Sequence, residues 1–508
     1  MNKKTIILLG FILLKFVLQY VLINPVYDLQ RDEYLHLDQA NHLAWGYISV
    51  PPMTSWIAYL IKLFGNGVFW VKFFPALFGV FTLILVWKII EMLGGSLFAL
   101  ILGALCFTGC AILRINILFQ PNSLDIFFWT LVYFCIIKYI VTSHTKWLLT
   151  AGVSLAFGIL SKYNILFLAA GLFPALLLTQ QRKIFTEKSL YIGGVIALII
   201  IIPNFIWQWK NDFPTIRQLK ELADTQLVNV KRADFAKEQL LFFVNSFFVI
   251  IAAFIGLLFY VPFRKFRFLF WAYIFTLSLF IYFKAKAYYA LGLYPVLIPF
   301  GAVYLDKLTL EGWKKLLRPV LAFLVIVLSV PFMLIAFPFR SPEAIQKKSE
   351  RYKSLGLLRW EDGKDHALPQ DFADMIGWKE LAKTADSVYE LLPDKASTII
   401  ICDNYGQAGA INYYSKFKNI NAVSFNADYI NLFKLDIKIN NVILVKEADD
   451  DDSTRVKEKL LFDSVTLVGV NNNPYSREQG TRLYLLKGAK ADINQLLRKK
   501  IMERKTQH

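Results

Sequence analysis

The chain carries two neighbouring carboxylates close to its first apolar segment. Asp32 and Glu33 follow Arg31 and precede His36, and all four come soon after an apolar run at residues 5–24. A charged group near a bilayer core is costly and is usually retained for a function. Two interpretations are open at this point: carboxylates that exchange a proton with a substrate at the membrane surface, or solvated charges in a loop.

The composition indicates what surrounds these carboxylates. The chain has 508 residues, of which 56% are hydrophobic and 19% charged, and its mean hydropathy is +0.46. A soluble enzyme of this length would carry more charge. The net charge of +18 would suggest nucleic acid in a soluble protein, but here lysine and arginine in cytoplasmic loops explain much of it. We therefore predict a polytopic α-helical membrane protein that does not bind nucleic acid.

Apolar runs of about 20 residues, the length that crosses a bilayer, predict about eleven transmembrane helices. The first is expected to be a retained anchor. The positive-inside rule places the lysine- and arginine-rich loops in the cytoplasm and, for an odd number of crossings, the C-terminal tail outside. The predicted runs are residues 5–24, 67–92, 96–113, 123–141, 147–160, 164–179, 190–208, 241–260, 268–283, 288–304 and 319–338.

The loops predicted to lie outside hold the other polar residues that chemistry could use. Because these loops share one side of the membrane, their side chains should converge on one face, as a single site requires. An amphipathic stretch at 54–64 could lie in the interface plane. The polar groups in these loops include Arg114, Asp125, Lys162, Lys284, Lys286, Tyr288 and Tyr289.

The composition changes near Arg340, where apolar runs shorten and charges become frequent. Alternating strands and helices predict a small α/β domain there. We therefore divide the chain into a transmembrane domain at 1–338 and an extracytoplasmic α/β domain at 339–508. The predicted strands are 397–402, 422–425, 441–446, 464–470 and 483–487, and the predicted helices are 373–392 and 406–417.

An ordered set of phrases carries a resemblance to a known family. After the carboxylate pair come Pro51-Pro52, then Phe119-Gln120-Pro121-Asn122, then Ser161-Lys162-Tyr163, then Lys286-Ala287-Tyr288-Tyr289, and in the tail Asp403-Asn404-Tyr405-Gly406-Gln407. This series resembles the GT-C glycosyltransferases of the protein O-mannosyltransferase and aminoarabinose-transferase type. The resemblance covers about the first 305 residues, with the tail phrase beyond them. One departure is Pro51, where aminoarabinose transferases have a lysine.

The resemblance implies a bacterial inner-membrane enzyme that moves a sugar from a polyprenyl-phosphate donor to a protein, lipid or glycan acceptor. It implies that Asp32 is the catalytic base and that Asp125 supports the site. Glu33 could orient the acceptor or stabilise positive charge at the sugar, and Arg31 and His36 could support the acceptor side. A single displacement would invert the anomeric centre.

The leaving phosphate calls for cations, and each candidate also has a structural alternative. Arg114 and Lys162 lie in apolar surroundings, where a charge needs a partner, and Asp125 could pair with either. Such a pair could equally be a structural salt bridge. Lys284 and Lys286 could bind phosphate or anchor a helix end. The neighbouring Tyr288 and Tyr289 could bind donor oxygens or belong to an aromatic belt.

Other interpretations of the sequence stay open as alternatives. His36 and His42 invite a metal interpretation, but five histidines without tight spacing give little support for a divalent metal, and no cofactor is firmly predicted. A transporter or flippase for a lipid-linked or small substrate is the alternative. It should show inverted repeats and broken helices at mid-membrane, and neither is clear here. A third alternative is a receptor whose tail binds a ligand.

Overall fold

A bundle of apolar helices forms the first two thirds of the chain in the computed structural model, which describes residues 2–225, 227–450, 452 and 454–507. The helices are α1 (Lys3–Val21), α2 (Arg31–Gln39), α3 (Met53–Leu63), α4 (Val68–Met92), α5 (Leu97–Thr108), α6 (Ala111–Ile115), α7 (Pro121–Thr142), α8 (Lys146–Ser161), α9 (Ile165–Leu177), α10 (Lys188–Lys210), α11 (Pro214–Thr225), α12 (Arg232–Phe242), α13 (Phe247–Phe259), α14 (Phe268–Tyr282), α15 (Leu297–Leu308) and α16 (Leu317–Ala336).

Several of these helices can cross a membrane. Among the described residues, five helical segments are long and apolar enough: α1, α4, α7, α10 and Gly312–Ala336, which contains α16. Three strongly bent helix pairs could raise that number to eight. The prediction of a multi-pass membrane protein is confirmed. The count of eleven stays a prediction, because α5, α8 and α14 fall below the length of a full span.

The connections between helices meet at two opposite ends of the bundle. At one end Gln181 donates a hydrogen bond to the carbonyl of Lys265, and Asp306 accepts from Ser96 and pairs with Arg318. The ring centres of Tyr260 and Tyr304, which lie just before Lys265 and Asp306 in sequence, are 5.6 Å apart, so these lysine- and arginine-rich connections lie together. The short helices α2 and α6 and the α8–α9 junction lie at the other end, where the sheet-containing part docks.

The C-terminal part is an α/β unit around one mixed sheet. The strand order is β2-β1-β3-β5-β4, with β2, β1 and β3 parallel and β5 and β4 antiparallel. Its strands are β1 (Thr398–Cys402), β2 (Ala422–Ser424), β3 (Asn441–Lys446), β4 (Phe462–Val470) and β5 (Arg482–Ala489). Its helices are α17 (Pro342–Gln346), α18 (Ser349–Ser354), α19 (Gln370–Ala373), α20 (Trp378–Glu390), α21 (Tyr405–Tyr414), α22 (Val456–Leu461) and α23 (Ile493–Gln507).

The five predicted strands are confirmed to within two residues at each end, whereas one predicted helix is wrong at its start. The pattern placed a helix over 373–392, but α20 begins at Trp378. Gly377 precedes it with φ of +91°, a left-handed conformation that a continuous α-helix cannot contain. The turn between α19 and α20 brings Asp374 next to α2, where its carbonyl accepts a hydrogen bond from the Arg31 amide 3.0 Å away.

Two glycines on α21 let the α/β unit approach α2 closely. A Cβ on Gly406 would lie 2.6 Å from Cγ of Arg31, and a Cβ on Gly409 would lie 2.8 Å from Cβ of Tyr34. Real Cβ atoms do not approach so closely, so only glycine allows this contact. Tyr34 is fully buried between the two parts of the molecule. The sequence of α21 therefore determines how the α/β unit sits over the first polar segment of the bundle.

Candidate active site

A cavity of about 1950 Å³ lies between the bundle and the α/β unit. Its polar wall contains Asp32 from α2, Lys162 from the α8–α9 junction and Tyr405 from α21. Side chains that are distant in sequence and come from both parts of the chain therefore share one space. The convergence of the polar loops, predicted from the sequence, is present at this cavity.

Asp32 is held by donors from two different parts of the protein. Its Oδ1 accepts a hydrogen bond of 2.6 Å from the hydroxyl of Tyr405, and its Oδ2 accepts one of 3.0 Å from Nε2 of Gln120. Asp32 lies in the first turn of α2, which Gln30 caps. The positive end of a helix dipole favours an anion there. The carboxylate is only partly buried and lines the cavity, so each oxygen keeps capacity to accept a further proton donor.

A chain of hydrogen bonds joins Asp32 to a lysine that also lines the cavity. Lys162 donates to Oδ1 of Asn122 over 2.7 Å, and Asn122 donates to Oε1 of Gln120 over 2.9 Å. Gln120 in turn donates to Asp32. The ammonium of Lys162 also lies 4.2 Å from the ring centre of Tyr289 and 5.1 Å from that of Tyr288. The second-loop phrase therefore links the carboxylate to a cation that lines the same cavity.

Glu33 does not line the cavity, so the structure argues against a direct role in orienting the acceptor. It is fully buried and forms an ion pair of 2.8 Å with Lys72 of α4. Its two oxygens also accept from the backbone amides of Phe119 and Gln30, each at 2.7 Å. These contacts position α2 against α4 and the segment before α7. The physical reason is helical geometry, which points adjacent residues in different directions.

Asp125 lies behind the cavity wall and pairs with neither of its expected partners. Its Oδ1 accepts from Nε1 of Trp129, and its Oδ2 accepts from Nδ2 of Asn164, both over 2.8 Å. Asn164 lines the cavity and also donates to the carbonyl of Tyr289. The expected pair with Arg114 or Lys162 is therefore absent among these contacts. Asp125 instead orients an amide that faces the cavity.

Arg114 is a buried cation with unused hydrogen-bond donors. Its side chain is 9% exposed and lines the cavity, and Asp371 lies 3.8 Å away. Within the described part of the chain, neither terminal nitrogen makes a hydrogen bond. A buried guanidinium with unused donors is costly unless a ligand supplies acceptors. A phosphate or carboxylate matches the guanidinium fork.

The remaining predicted cations differ in position. Lys286 lines the cavity and forms an ion pair of 2.5 Å with Glu361 of the α/β unit. The neighbouring Tyr288 and Tyr289 line it as well. Lys284 is exposed and is not among the residues that line the cavity, so the predicted phosphate contact of Lys284 is not supported. The two lysines are separated because the chain turns between them, with Lys284 at φ of +52°.

Arg31 and His36 both line the cavity on the α2 side. The guanidinium carbon of Arg31 lies 4.3 Å from the ring centre of Tyr405, a cation–π contact. His36 is buried, and its Nδ1 lies 3.2 Å from Oε1 of Gln39. Burial lowers the pKa of His36, although Asp32, Gln39 and Glu33 act in the opposite direction. Among the described residues no group of three or more His, Cys, Asp or Glu side chains could hold a metal ion.

Part of the cavity wall is apolar and is formed by helices of the bundle. Chain-like apolar ligands could lie there, because side chains from four helices form the wall. These side chains are Leu166 and Phe167 of α9, Leu241 and Phe242 of α12, Leu279 of α14, and Leu328 and Phe332 of α16.

Known proteins resemble parts of this sequence. A family model described as dolichyl-phosphate-mannose-protein mannosyltransferase matches residues 49–207. From Rhizobium johnstonii, lipid A galacturonosyltransferase RgtD is 24% identical over 220 residues, and lipopolysaccharide core galacturonosyltransferase RgtB is 28% identical over 221 residues. These matches cover 43% and 41% of this chain and 46% and 43% of the relatives. The chain thus aligns with less than half the length of either relative.

Almost the whole chain superposes on a solved structure. The crystal structure of ArnT from Cupriavidus metallidurans bound to undecaprenyl phosphate superposes with a TM-score of 0.62 and 13% identity, covering 95% of this chain and 97% of that one. The chain has the GT-C fold. The resemblance to GT-C glycosyltransferases stated from the sequence is confirmed, as is the combination of a helical membrane bundle with a C-terminal α/β unit.

The GT-C fold places residues in the site that the sequence did not single out. Tyr405 and Gln120 touch Asp32, Asn122 connects Gln120 to Lys162, and Asn164 joins Asp125 to the carbonyl of Tyr289. Gln120, Asn122 and Tyr405 stand inside the phrases that carry the resemblance, which is the signal that could have found them. Asn164 follows directly after such a phrase. Their uncharged side chains carry no signal of their own, because it is a charge near the bilayer that is costly enough to indicate a function.

Proposed function

We propose that this GT-C protein is a membrane glycosyltransferase that moves a sugar from a polyprenyl-phosphate donor to an acceptor hydroxyl. The observation that carries the proposal is Asp32. It is a carboxylate held by two hydrogen-bond donors. The cavity that it lines also contains the buried guanidinium of Arg114, whose terminal nitrogens make no hydrogen bond to a described residue, and an apolar wall. A base, an anion site and a lipid channel are the three parts that such a transfer needs.

The donor would lie with its phosphate near Arg114 and its prenyl chain between the helices. ArnT, with the same fold, was crystallised with undecaprenyl phosphate, which favours a lipid phosphate here. This chain has Pro51 where aminoarabinose transferases have a lysine, and Pro51 lines the cavity. Arg114 and Lys162, which both line the cavity, would neutralise the leaving phosphate in place of that lysine.

The chemistry is a single displacement at the anomeric carbon. The acceptor oxygen attacks C1 of the sugar while its proton passes to Asp32. The bond between C1 and the phosphate oxygen breaks, and the phosphate leaves with the electron pair, stabilised by the cations. Attack from the face opposite the phosphate inverts the anomeric centre. Glu33 and Asp125 would act through α2 and Asn164 as positioning residues.

The position of the cavity in the bundle favours a reaction on one particular side of the membrane. α4 runs from the cavity end, where its Lys72 pairs with Glu33, to the end where Ser96 donates to Asp306, so the cavity lies opposite the connection that holds Arg318. If that connection is cytoplasmic, the cavity and the α/β unit at 339–508 lie on the outer face of the cytoplasmic membrane. One relative is named for transfer to lipid A and the other for transfer to the lipopolysaccharide core, which favours a glycolipid among the protein, lipid and glycan acceptors.

The test is transfer from a synthetic polyprenyl-phosphate sugar by purified protein and its Asp32→Asn variant. Asparagine keeps the shape but cannot accept the proton, so we expect a loss in kcat of about 10²- to 10⁴-fold. Asp38→Asn is the matched control, because Asp38 is on the same helix and does not line the cavity. Absence of transfer by the wild-type protein with every polyprenyl-phosphate sugar tried, or full activity of Asp32→Asn, would contradict the proposal.

A further inference from the structure

We propose that Tyr405 is a positioning residue for the catalytic base, so that the α/β unit completes the reaction centre rather than only covering it. The proposal rests on the proposed function, because it assigns Tyr405 a role through Asp32. Its central observation is the hydrogen bond of 2.6 Å from the Tyr405 hydroxyl to Oδ1 of Asp32. These two residues are 373 positions apart in sequence.

The position of Tyr405 is fixed by the start of α21. Asn404 caps this helix, its Oδ1 accepting from the backbone amide of Gln407 over 3.0 Å. Gly406 and Gly409 then allow α21 to approach α2 more closely than any other residue would. Tyr405 is the first residue of the helix, on the side that faces α2. The hydroxyl therefore reaches Asp32 because of backbone packing rather than through a flexible loop.

The ring of Tyr405 is also held in place from the bundle side. Arg31 lies over the ring at 4.3 Å, and this residue directly precedes Asp32. Burial raises the pKa of Tyr405 above its ordinary value, against the influence of Arg31. The hydroxyl thus keeps its proton at neutral pH and acts as the donor in the bond to Asp32.

Two donors on two different oxygens restrict rotation of the Asp32 carboxylate. Gln120 binds Oδ2 from the bundle, and Tyr405 binds Oδ1 from the α/β unit. Without Tyr405, one oxygen would be released and the carboxylate could turn about its last bond. A base that turns away from the acceptor hydroxyl slows proton transfer but leaves the binding of the lipid donor intact. The effect should therefore appear in kcat and not in the KM for the donor.

The experiment compares Tyr405→Phe with Tyr414→Phe in the full-length protein, using transfer from a synthetic polyprenyl-phosphate sugar. Tyr414 is the matched control: it lies on the same helix, and its hydroxyl lies 3.3 Å from that of Tyr34 at the same interface, but it does not line the cavity. We expect Tyr405→Phe to lower kcat about 10- to 100-fold, the range of one hydrogen bond to a charged group. The donor KM should change less than about threefold, and Tyr414→Phe should keep kcat within about threefold.

A conservative replacement separates positioning from folding. With 3-fluorotyrosine at position 405, the ring and the hydroxyl are both present, so kcat should recover to within about threefold of wild type. Thermal unfolding of all variants is measured alongside. The proposal is overturned if Tyr405→Phe keeps kcat, if it raises the donor KM at constant kcat, or if Tyr414→Phe loses kcat equally.

The outcomes also separate this proposal from the proposed function. If Asp32→Asn loses activity and Tyr405→Phe does not, the assignment of Asp32 as the base is retained and only the role of Tyr405 is rejected. If Asp32→Asn remains active, the assignment of the base has failed, and the role of Tyr405 fails with it.

Discussion

Asp32 and Glu33 are adjacent in sequence but belong to two contrasting regions of the molecule. Asp32 faces a cavity, is partly exposed, and accepts from two neutral donors. Glu33 faces the interior, is fully buried, and accepts from a lysine and two backbone amides. We call the buried surroundings of Glu33 and Lys72 the closed region, and there the protein itself balances the charge of the carboxylate. We call the cavity wall that holds Asp32 and Arg114 the open region. There the guanidinium of Arg114 retains hydrogen-bond donors from which no described residue accepts.

This contrast separates a structural charge from a functional one. A buried ion pair with its hydrogen bonds satisfied has nothing left to offer a substrate, whereas an incompletely satisfied group beside a cavity can bind one. The two regions share α2, so the closed one fixes the position of the open one. Changes in the closed region should therefore act on stability, and changes in the open region on activity.

The largest expected effect on stability comes from breaking the closed region. Lys72→Met leaves the Glu33 carboxylate buried without its cation, which should cost about 3–5 kcal/mol of unfolding free energy. Lys88→Met is the matched control on the same helix, because Lys88 forms an exposed pair with Glu91 and should cost no more than about 1 kcal/mol. Denaturant or thermal unfolding in detergent measures both. Equal costs would contradict the contrast.

A smaller effect, on binding rather than stability, should follow from a change in the open region. Arg114→Met removes the buried guanidinium, so the KM for the polyprenyl-phosphate donor should rise about 10- to 100-fold, as expected for charge-assisted hydrogen bonds. Unfolding should change little, because the terminal nitrogens make no hydrogen bond within the described residues. Lys284→Met, an exposed cation outside the cavity, is the control. A donor KM unchanged by Arg114→Met would remove Arg114 from the site.

The smallest expected effect is a pH dependence at the border between the two regions. The pKa of His36 is lowered by burial from its ordinary 6.5, so below that pH the unfolded chain takes up a proton that the folded protein does not. His36 therefore stabilises the fold fully above pH 6.5 and loses this contribution as the pH falls. In His36→Gln, the unfolding temperature should fall less than in wild type between about pH 7.5 and 5.5. Parallel pH curves would refute this.

Parts of the site were predictable because they depend on local sequence. Asp32, Lys162 and Lys286 were chosen as charges in polar breaks between apolar runs, and all three line the cavity. Their exact partners were not predictable. Glu33 pairs with Lys72, a lysine inside an apolar run that the sequence gives no reason to select. Tyr405 contacts Asp32, which is 373 positions away in sequence, and a local sequence pattern cannot predict a contact at that separation.

The sequence by itself determined the apolar helices, the alternating strands of the α/β unit and the side of the bundle on which polar groups gather, because these follow from hydrophobic periodicity and the distribution of lysine and arginine. The tertiary structure decided which neighbouring carboxylate faces the cavity, which cation keeps unused donors, and that the α/β unit reaches the site. The physical reason is that helix rotation and close packing at glycines set the direction of each side chain, and both depend on contacts between segments far apart in the chain.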